Sequence, residues 1–250
     1  MLNISCFGNK QLPPLIFLHG LFGSTQDFIP MIDLLKEHFY CIGIDLPGHG
    51  LSPPLNPLNF SSILNYLLDT IISLNLHKPS LVGYSLGGRL SMLLHQKAPS
   101  FFHKIMILSA HPGLTPDELP RRILLENHWI KLLEELSLFE FLKKWYKQPL
   151  FQALTSSPLI LQRSQGNKKA FLEIMDALRL SNQISLWDHI NTTQDAWLFV
   201  SGEKDKTYTD LYKKLPTSCQ KATIMNVSHA LHLEDPKSCA LFLKKKKLLR

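Results

Sequence analysis

The segment Gly83-Tyr84-Ser85-Leu86-Gly87 follows directly on the apolar run Ser80-Leu81-Val82. A short buried strand that passes at once into G-x-S-x-G, and from there into a helical pattern, constrains this chain more than any other feature. The glycines let the backbone turn tightly without a Cβ clash. The serine hydroxyl is then presented at the C-terminal edge of a sheet. A serine in that place is a weak nucleophile or base until an imidazole takes its proton and an acid orients the imidazole. The rest of the chain can be searched for both.

The surrounding pattern suits a sheet that is covered on both faces. Pro14–Leu18, Tyr40–Ile44, Ser80–Gly83, Lys104–Leu108, Ala196–Val200 and Lys221–Met225 read as strands. They are continuous apolar runs without alternation, as in parallel sheets. Helical patterns lie between several of them, notably Phe60–Leu74, Gly87–Lys97 and Pro236–Leu248. The series implies an α/β fold with a mostly parallel sheet and helices on both faces. One interval breaks the rhythm. Between Ser109 and Asp195 amphipathic helical stretches such as Arg121–Leu136 and Asn167–Leu180 replace strands. We expect one domain over residues 1–250, with a helical cap inserted at about 111–190.

Composition excludes some classes. With 45% hydrophobic and 19% charged residues the chain can bury a large core, and no apolar run reaches the roughly 18 residues of a membrane helix. Its first residues lack the basic and apolar regions of a secretory signal. Cys6, Cys41, Cys219 and Cys239 have no metal-ligand spacing and read as reduced thiols of a cytoplasmic protein. The net charge of +7 includes Lys244 to Lys247 and Arg250. That run reads as a solvated helix end, because no aromatic-interleaved basic module accompanies it. We expect no nucleic-acid or membrane partner, no metal and no organic cofactor. A small anionic substrate suits the charge excess, and the protein is expected as a monomer or small homo-oligomer.

The base and the acid are found in order. His229 lies after the last strand and before the last helix, with His232 as its neighbour and competitor. Asp205 lies just after the strand at 197–200, with Glu203 and Asp210 as alternatives. Upstream, His19-Gly20-Leu21-Phe22-Gly23 follows an early strand. It allows the N–H of Leu21 to face the same spot as the N–H of Leu86, and two such donors stabilise developing negative charge. His19 and Asp45 read as structural residues of their loops.

These residues and their order resemble the α/β-hydrolase fold. Ser228 departs from its pattern, which usually has glycine before the histidine. Further motifs narrow the resemblance: Gly87-Gly88-Arg89, His111-Pro112-Gly113-Leu114, Arg122 and Trp129 seven residues apart, Trp145-Tyr146-Lys147-Gln148-Pro149-Leu150-Phe151, and Arg163 followed by Asn167. Over essentially the whole chain these are similar to the 2-succinyl-6-hydroxy-2,4-cyclohexadiene-1-carboxylate synthase family. The resemblance implies a lyase that expels pyruvate, with catalytic Ser85, Asp205 and His229. It implies that Arg89, Arg122 and Arg163 bind substrate carboxylates and that Tyr84 and Trp145 line the substrate, with Gln148 a weaker candidate. Each has a plainer alternative: a salt bridge for Arg89, a solvated helix face for Arg122, a helix cap for Arg163, core packing for the aromatics. An ester or thioester hydrolase of the same fold is the competing enzyme; a non-enzymatic binding protein would require a broken triad.

Overall fold

A computed structural model describes residues 1–154 and 158–245. Seven strands form one sheet: β1 Ile4–Phe7, β2 Pro14–Leu18, β3 Tyr40–Ile44, β4 Ser80–Tyr84, β5 Ile105–Leu108, β6 Trp197–Gly202 and β7 Gln220–Ile224, in the order β1-β3-β2-β4-β5-β6-β7. All neighbours pair in parallel except β1, which runs antiparallel to β3. The central strands β3, β4, β5 and β6 are buried along their whole length, which is why they read as unbroken apolar runs.

The edges behave differently. β1 is short, partly exposed and mixed in character, so the sequence pattern does not signal it. At the other edge β7 alternates, with Lys221 and Thr223 exposed and Ile224 buried, so the expectation of an unalternated run fails there. An edge strand covered on one side needs apolar residues only at every second position.

The helices are α1 Ile29–Leu35, α2 Phe60–Ser73, α3 Leu86–Lys97, α4 Leu119–Glu135, α5 Leu138–Trp145, α6 Leu159–Arg163, α7 Lys168–Ala177, α8 Trp187–Thr192, α9 Lys206–Lys213, α10 Leu231–Glu234 and α11 Pro236–Lys245. Five of them, α4 to α8, occupy the interval between β5 and β6. Asn59 and Ser62 close a reciprocal capping box at the start of α2, and the Asn167 side chain caps α7. The expected extension of α11 to Leu248 falls partly outside the described residues, as do Lys246, Lys247 and Arg250. Among the described residues no helix is long and apolar enough to cross a membrane. All four cysteines are free thiols.

Register decides where chemistry can gather. Leu18 pairs with Gly83, Tyr84 with Leu108, Leu108 with Val200, and Gly202 with Ile224. The loops that leave β2, β4, β6 and β7 therefore emerge along one edge of the sheet. They carry Leu21, Ser85, Asp205 and His229.

Candidate active site

Ser85 stands between β4 and α3 with φ 49° and ψ −110°, a backbone conformation that few side chains adopt. Its amide donates to the carbonyl of Leu108 (3.0 Å), which ties the turn to the neighbouring strand. The flanking glycines are required by space. A Cβ at Gly83 would lie 2.5 Å from the carbonyl oxygen of Gly87, and one at Gly87 would lie 2.1 Å from that of Leu18. The strain is thus held by close backbone packing on both sides.

His229 Nδ1 donates to Asp205 Oδ2 at 2.7 Å, and both side chains are almost fully buried. Asp205 also caps α9, its Oδ1 accepting the Tyr208 amide at 3.2 Å. Two bonds thereby fix the carboxylate. With Nδ1 engaged, the imidazole keeps Nε2 for its other partner. Ser85 and His229 line the same cavity, together with Leu21 and Leu86.

The alternatives are occupied elsewhere. Glu203 accepts the Asn226 amide, and Asp210 pairs with Lys213 on the surface. His232 is fully buried, 4.3 Å from the Tyr84 ring and 4.6 Å from that of Phe28, and neither of its ring nitrogens has a hydrogen-bond partner. Burial holds its pKa well below the ordinary histidine range.

The loop that carries Leu21 is built by polar residues in structural roles. His19 Nδ1 donates to the carbonyl of Gly20 and its Nε2 accepts the Leu46 amide, so the ring is neutral. Burial lowers its pKa. His49 Nε2 accepts the amide of Phe22, whose φ is 64°. Burial pushes the Asp45 carboxyl up, but hydrogen bonds from Thr25, Leu51 and Asn3 outweigh it and hold the group below the usual range.

The opposite wall comes from α4 and the turn after α7. Arg122, Glu126 and Trp129 all line the cavity, spaced four and three residues apart on one face of α4. Arg89 reaches the same cavity from α3, one turn beyond Ser85. Its Nε donates to Gln183 (2.6 Å) and its Nη2 to the carbonyls of Leu178 (2.9 Å) and Arg179 (3.1 Å). Burial, with the nearby charge of Arg122, lowers its pKa to about 10. Arg122 Nε donates to Glu126 (2.7 Å), and Glu126 also accepts the Leu180 amide and the Ser181 hydroxyl. Burial raises the Glu126 carboxyl, but these bonds outweigh it and the pKa ends below the ordinary value.

Trp145 and Gln148 line the cavity as well. Arg163 and Tyr84 are not among its lining residues. Arg163 Nη2 is bound to Asp27 at 2.6 Å with both side chains buried, and its guanidinium lies 5.4 Å from the Tyr146 ring centre. A buried carboxylate from the loop after β2 has captured it, because neither charge can be left unpaired away from water. Tyr84 is turned under the loop: a Cβ at Gly20 would touch its ring at 2.7 Å, and the ring packs on His229 and His232. The lining also includes polar residues that the sequence motifs do not mark, among them Glu126, Arg179 and Tyr208. Glu126 could have been found from its i, i+4 spacing to Arg122. Tyr208, whose ring centre lies 4.9 Å from that of His229, had no such signal.

Residues 13–131 match the family model of the alpha/beta hydrolase fold. With a strained serine elbow and a buried acid–histidine pair on one sheet edge, the chain is an α/β-hydrolase-fold protein. Relatives refine this. The 2-succinyl-6-hydroxy-2,4-cyclohexadiene-1-carboxylate synthase of Salmonella newport (strain SL254) is 31% identical over 236 residues, covering 92% of this chain and 91% of that protein. The same enzyme of Salmonella enteritidis PT4 (strain P125109) matches to the same extent. Among solved structures, MenH from S. aureus superposes over the full length of both chains with a TM-score of 0.89 at 23% identity. A marine microorganism esterase gives 0.68 at 22% identity, over 98% of each chain; likeness at that identity concerns the fold. The chain belongs to the 2-succinyl-6-hydroxy-2,4-cyclohexadiene-1-carboxylate synthase family.

Proposed function

We propose that the chain carries out the reaction of its family, acting as a carbon–oxygen lyase of menaquinone biosynthesis. The substrate is 2-succinyl-5-enolpyruvyl-6-hydroxy-3-cyclohexene-1-carboxylate. The observation that carries the reading is a single cavity in which Ser85 and His229, the latter bonded to Asp205, share the walls with Arg89 and Arg122.

In the reaction the Ser85–His229 pair removes the proton from the ring carbon beside the succinyl ketone. The electron pair of that C–H bond forms a new ring double bond, the existing double bond shifts by one position, and the C–O bond to the enolpyruvyl group breaks. Pyruvate leaves as its enolate and takes up a proton. Negative charge that develops on the ketone oxygen is met by the amides of Leu21 and Leu86. Asp205 holds the imidazole in the tautomer that can accept a proton and stabilises the imidazolium.

The substrate carries three carboxylates, and guanidinium groups suit them. Arg89 and Arg122 supply two, from α3 and from α4, while Arg163 serves the packing of α6. Trp129 adds a donor: its Nε1 is buried, without a partner, in a side chain that lines the cavity. The helices α4 to α8 act as the cap over the sheet edge, and Trp145 and Tyr208 furnish apolar wall. Pyruvate release from the enolpyruvyl substrate, run beside a p-nitrophenyl ester, tests the assignment. Release of pyruvate with negligible ester turnover is expected; strong ester turnover without pyruvate overturns it.

A further inference from the structure

Ser228 occupies the position before the candidate base where the fold usually has glycine. It is buried, and its hydroxyl has a specific use. Oγ donates to the carbonyl of Leu150 at 2.8 Å. The His229 amide donates to the same carbonyl at 3.3 Å. The Ser228 amide is held in turn by Glu234 Oε2 at 2.8 Å. Leu150 belongs to the segment that joins α5 to α6 and lines the cavity. The next residue, Phe151, sets its ring edge-on to His229 with centroids 5.3 Å apart. One backbone carbonyl of the insertion therefore accepts two bonds from the loop that carries the base.

We infer that Ser228 is a positioning residue that couples the 145–151 segment of the cap to the His229 loop. When the segment is docked, Leu150 fixes the backbone at His229 and Phe151 closes one side of its ring. When it lifts, the base loses both restraints together. A glycine at 228 could make only the amide half of this link. A buried neutral hydrogen bond contributes about 1 kcal/mol net, which shifts an opening equilibrium about fivefold. The coupling to turnover rests on the lyase reading above; the docking itself does not.

The test uses Ser228→Ala and Ser228→Gly, which remove the hydroxyl, and Ser228→Thr, which keeps it. Amide hydrogen exchange is followed across the whole chain, and pyruvate release is measured on the same preparations. Exchange within 146–154 should rise about fivefold in the Ala and Gly variants and stay within about twofold of wild type in Thr. The value of kcat/KM should fall by a similar factor in Ala and Gly, with exchange in β4 and α3 unchanged. Unchanged exchange in 146–154 for both Ala and Gly overturns the proposal. A uniform rise along the chain also overturns it, since that marks a residue of general stability. If no form releases pyruvate, the lyase reading fails while the exchange result still decides the docking.

Discussion

The sheet edge and the helical insertion place their polar groups by different means. At the edge, position follows from backbone: the φ of Ser85, the register of β4 with β2 and β5, and the cap that Asp205 makes on α9. In the insertion, position follows from side chains that find distant partners. Arg163 meets Asp27 across 136 residues of sequence, and Arg89 meets Gln183 across 94. Backbone placement is written in short motifs, whereas side-chain capture depends on which carboxylate the fold brings near. The edge should accordingly respond to substitution through catalysis, and the buried pair of the insertion through stability.

The largest effect is expected at the edge. Ser85→Ala and His229→Ala should each lower turnover by about 10²–10⁴-fold with little change in the denaturation midpoint. His232→Phe should leave turnover near wild type, because its ring packs on Tyr84 without a hydrogen bond. A dead His232→Phe beside an active His229→Ala would reverse the assignment of the base.

Arg163→Ala breaks the comparison at its other end. It strands the Asp27 carboxylate away from water, and removing one partner of a buried pair costs about 3–5 kcal/mol. Urea unfolding should show the loss, while the folded fraction keeps a kcat/KM close to wild type. Replacing both residues by apolar ones of similar volume should recover much of the stability. A variant of unchanged stability whose kcat/KM collapses would put Arg163 at the substrate after all.

How much was legible follows from the same contrast. The elbow, the order of serine, acid and histidine, and four fully buried strands could be read directly, because each is dictated by local spacing or by burial on both faces. The edge strands differ: β1, four partly exposed residues, is too short to signal, while β7 is legible at Lys221–Met225 although its apolar residues fall only on alternate positions. On α4 the cavity-facing residues Arg122, Glu126 and Trp129 obey helical periodicity, so the face is recoverable from the sequence. Nothing in the neighbourhood of Arg163 announces Asp27. Likewise Tyr84, adjacent to the serine, looks like a substrate contact in one dimension, but strand geometry turns it beneath the loop.

Between the two regions stands His111, at the exit from β5. It is buried, accepts the Gly113 amide on Nδ1, and is drawn down to about 4, chiefly by burial, with Arg122, Arg89 and Lys214 adding to the effect and Glu118 opposing it. Its folded-state pKa lies below the unfolded value of about 6.5. In the window between them the unfolded chain binds the extra proton, so stability is complete above about pH 6.5 and falls as the pH drops toward 4. The share due to His111 should reach about 2 kcal/mol at pH 5. Urea midpoints for wild type and His111→Gln at pH 7.5 and 5.0 measure it; the variant should lose correspondingly less. An identical loss in both would mean that other groups carry the acid sensitivity.

The smallest effect sharpens the comparison most, because Glu126 belongs to the insertion yet faces the chemistry. Its carboxylate gathers the Arg122 guanidinium, the Leu180 amide and the Ser181 hydroxyl, while Arg89 is bonded to the carbonyls of Leu178 and Arg179 in the same turn. Arg89 and Arg122 on the cavity wall thus hang from one turn. A negative charge among anion-binding groups would repel the substrate if that were its only action, and Glu126→Gln would then raise kcat/KM. Its bond to Arg122 argues the opposite: it holds a mobile guanidinium in one place. We expect Glu126→Gln to lower kcat/KM about fivefold through KM, as for the loss of about 1 kcal/mol of coupling between neighbours. In an Arg122→Ala background the same change should have almost no further effect. Additive losses in the double variant would show that Glu126 acts on the turn rather than on Arg122, and the side-chain account of the insertion would then not extend to the cavity wall.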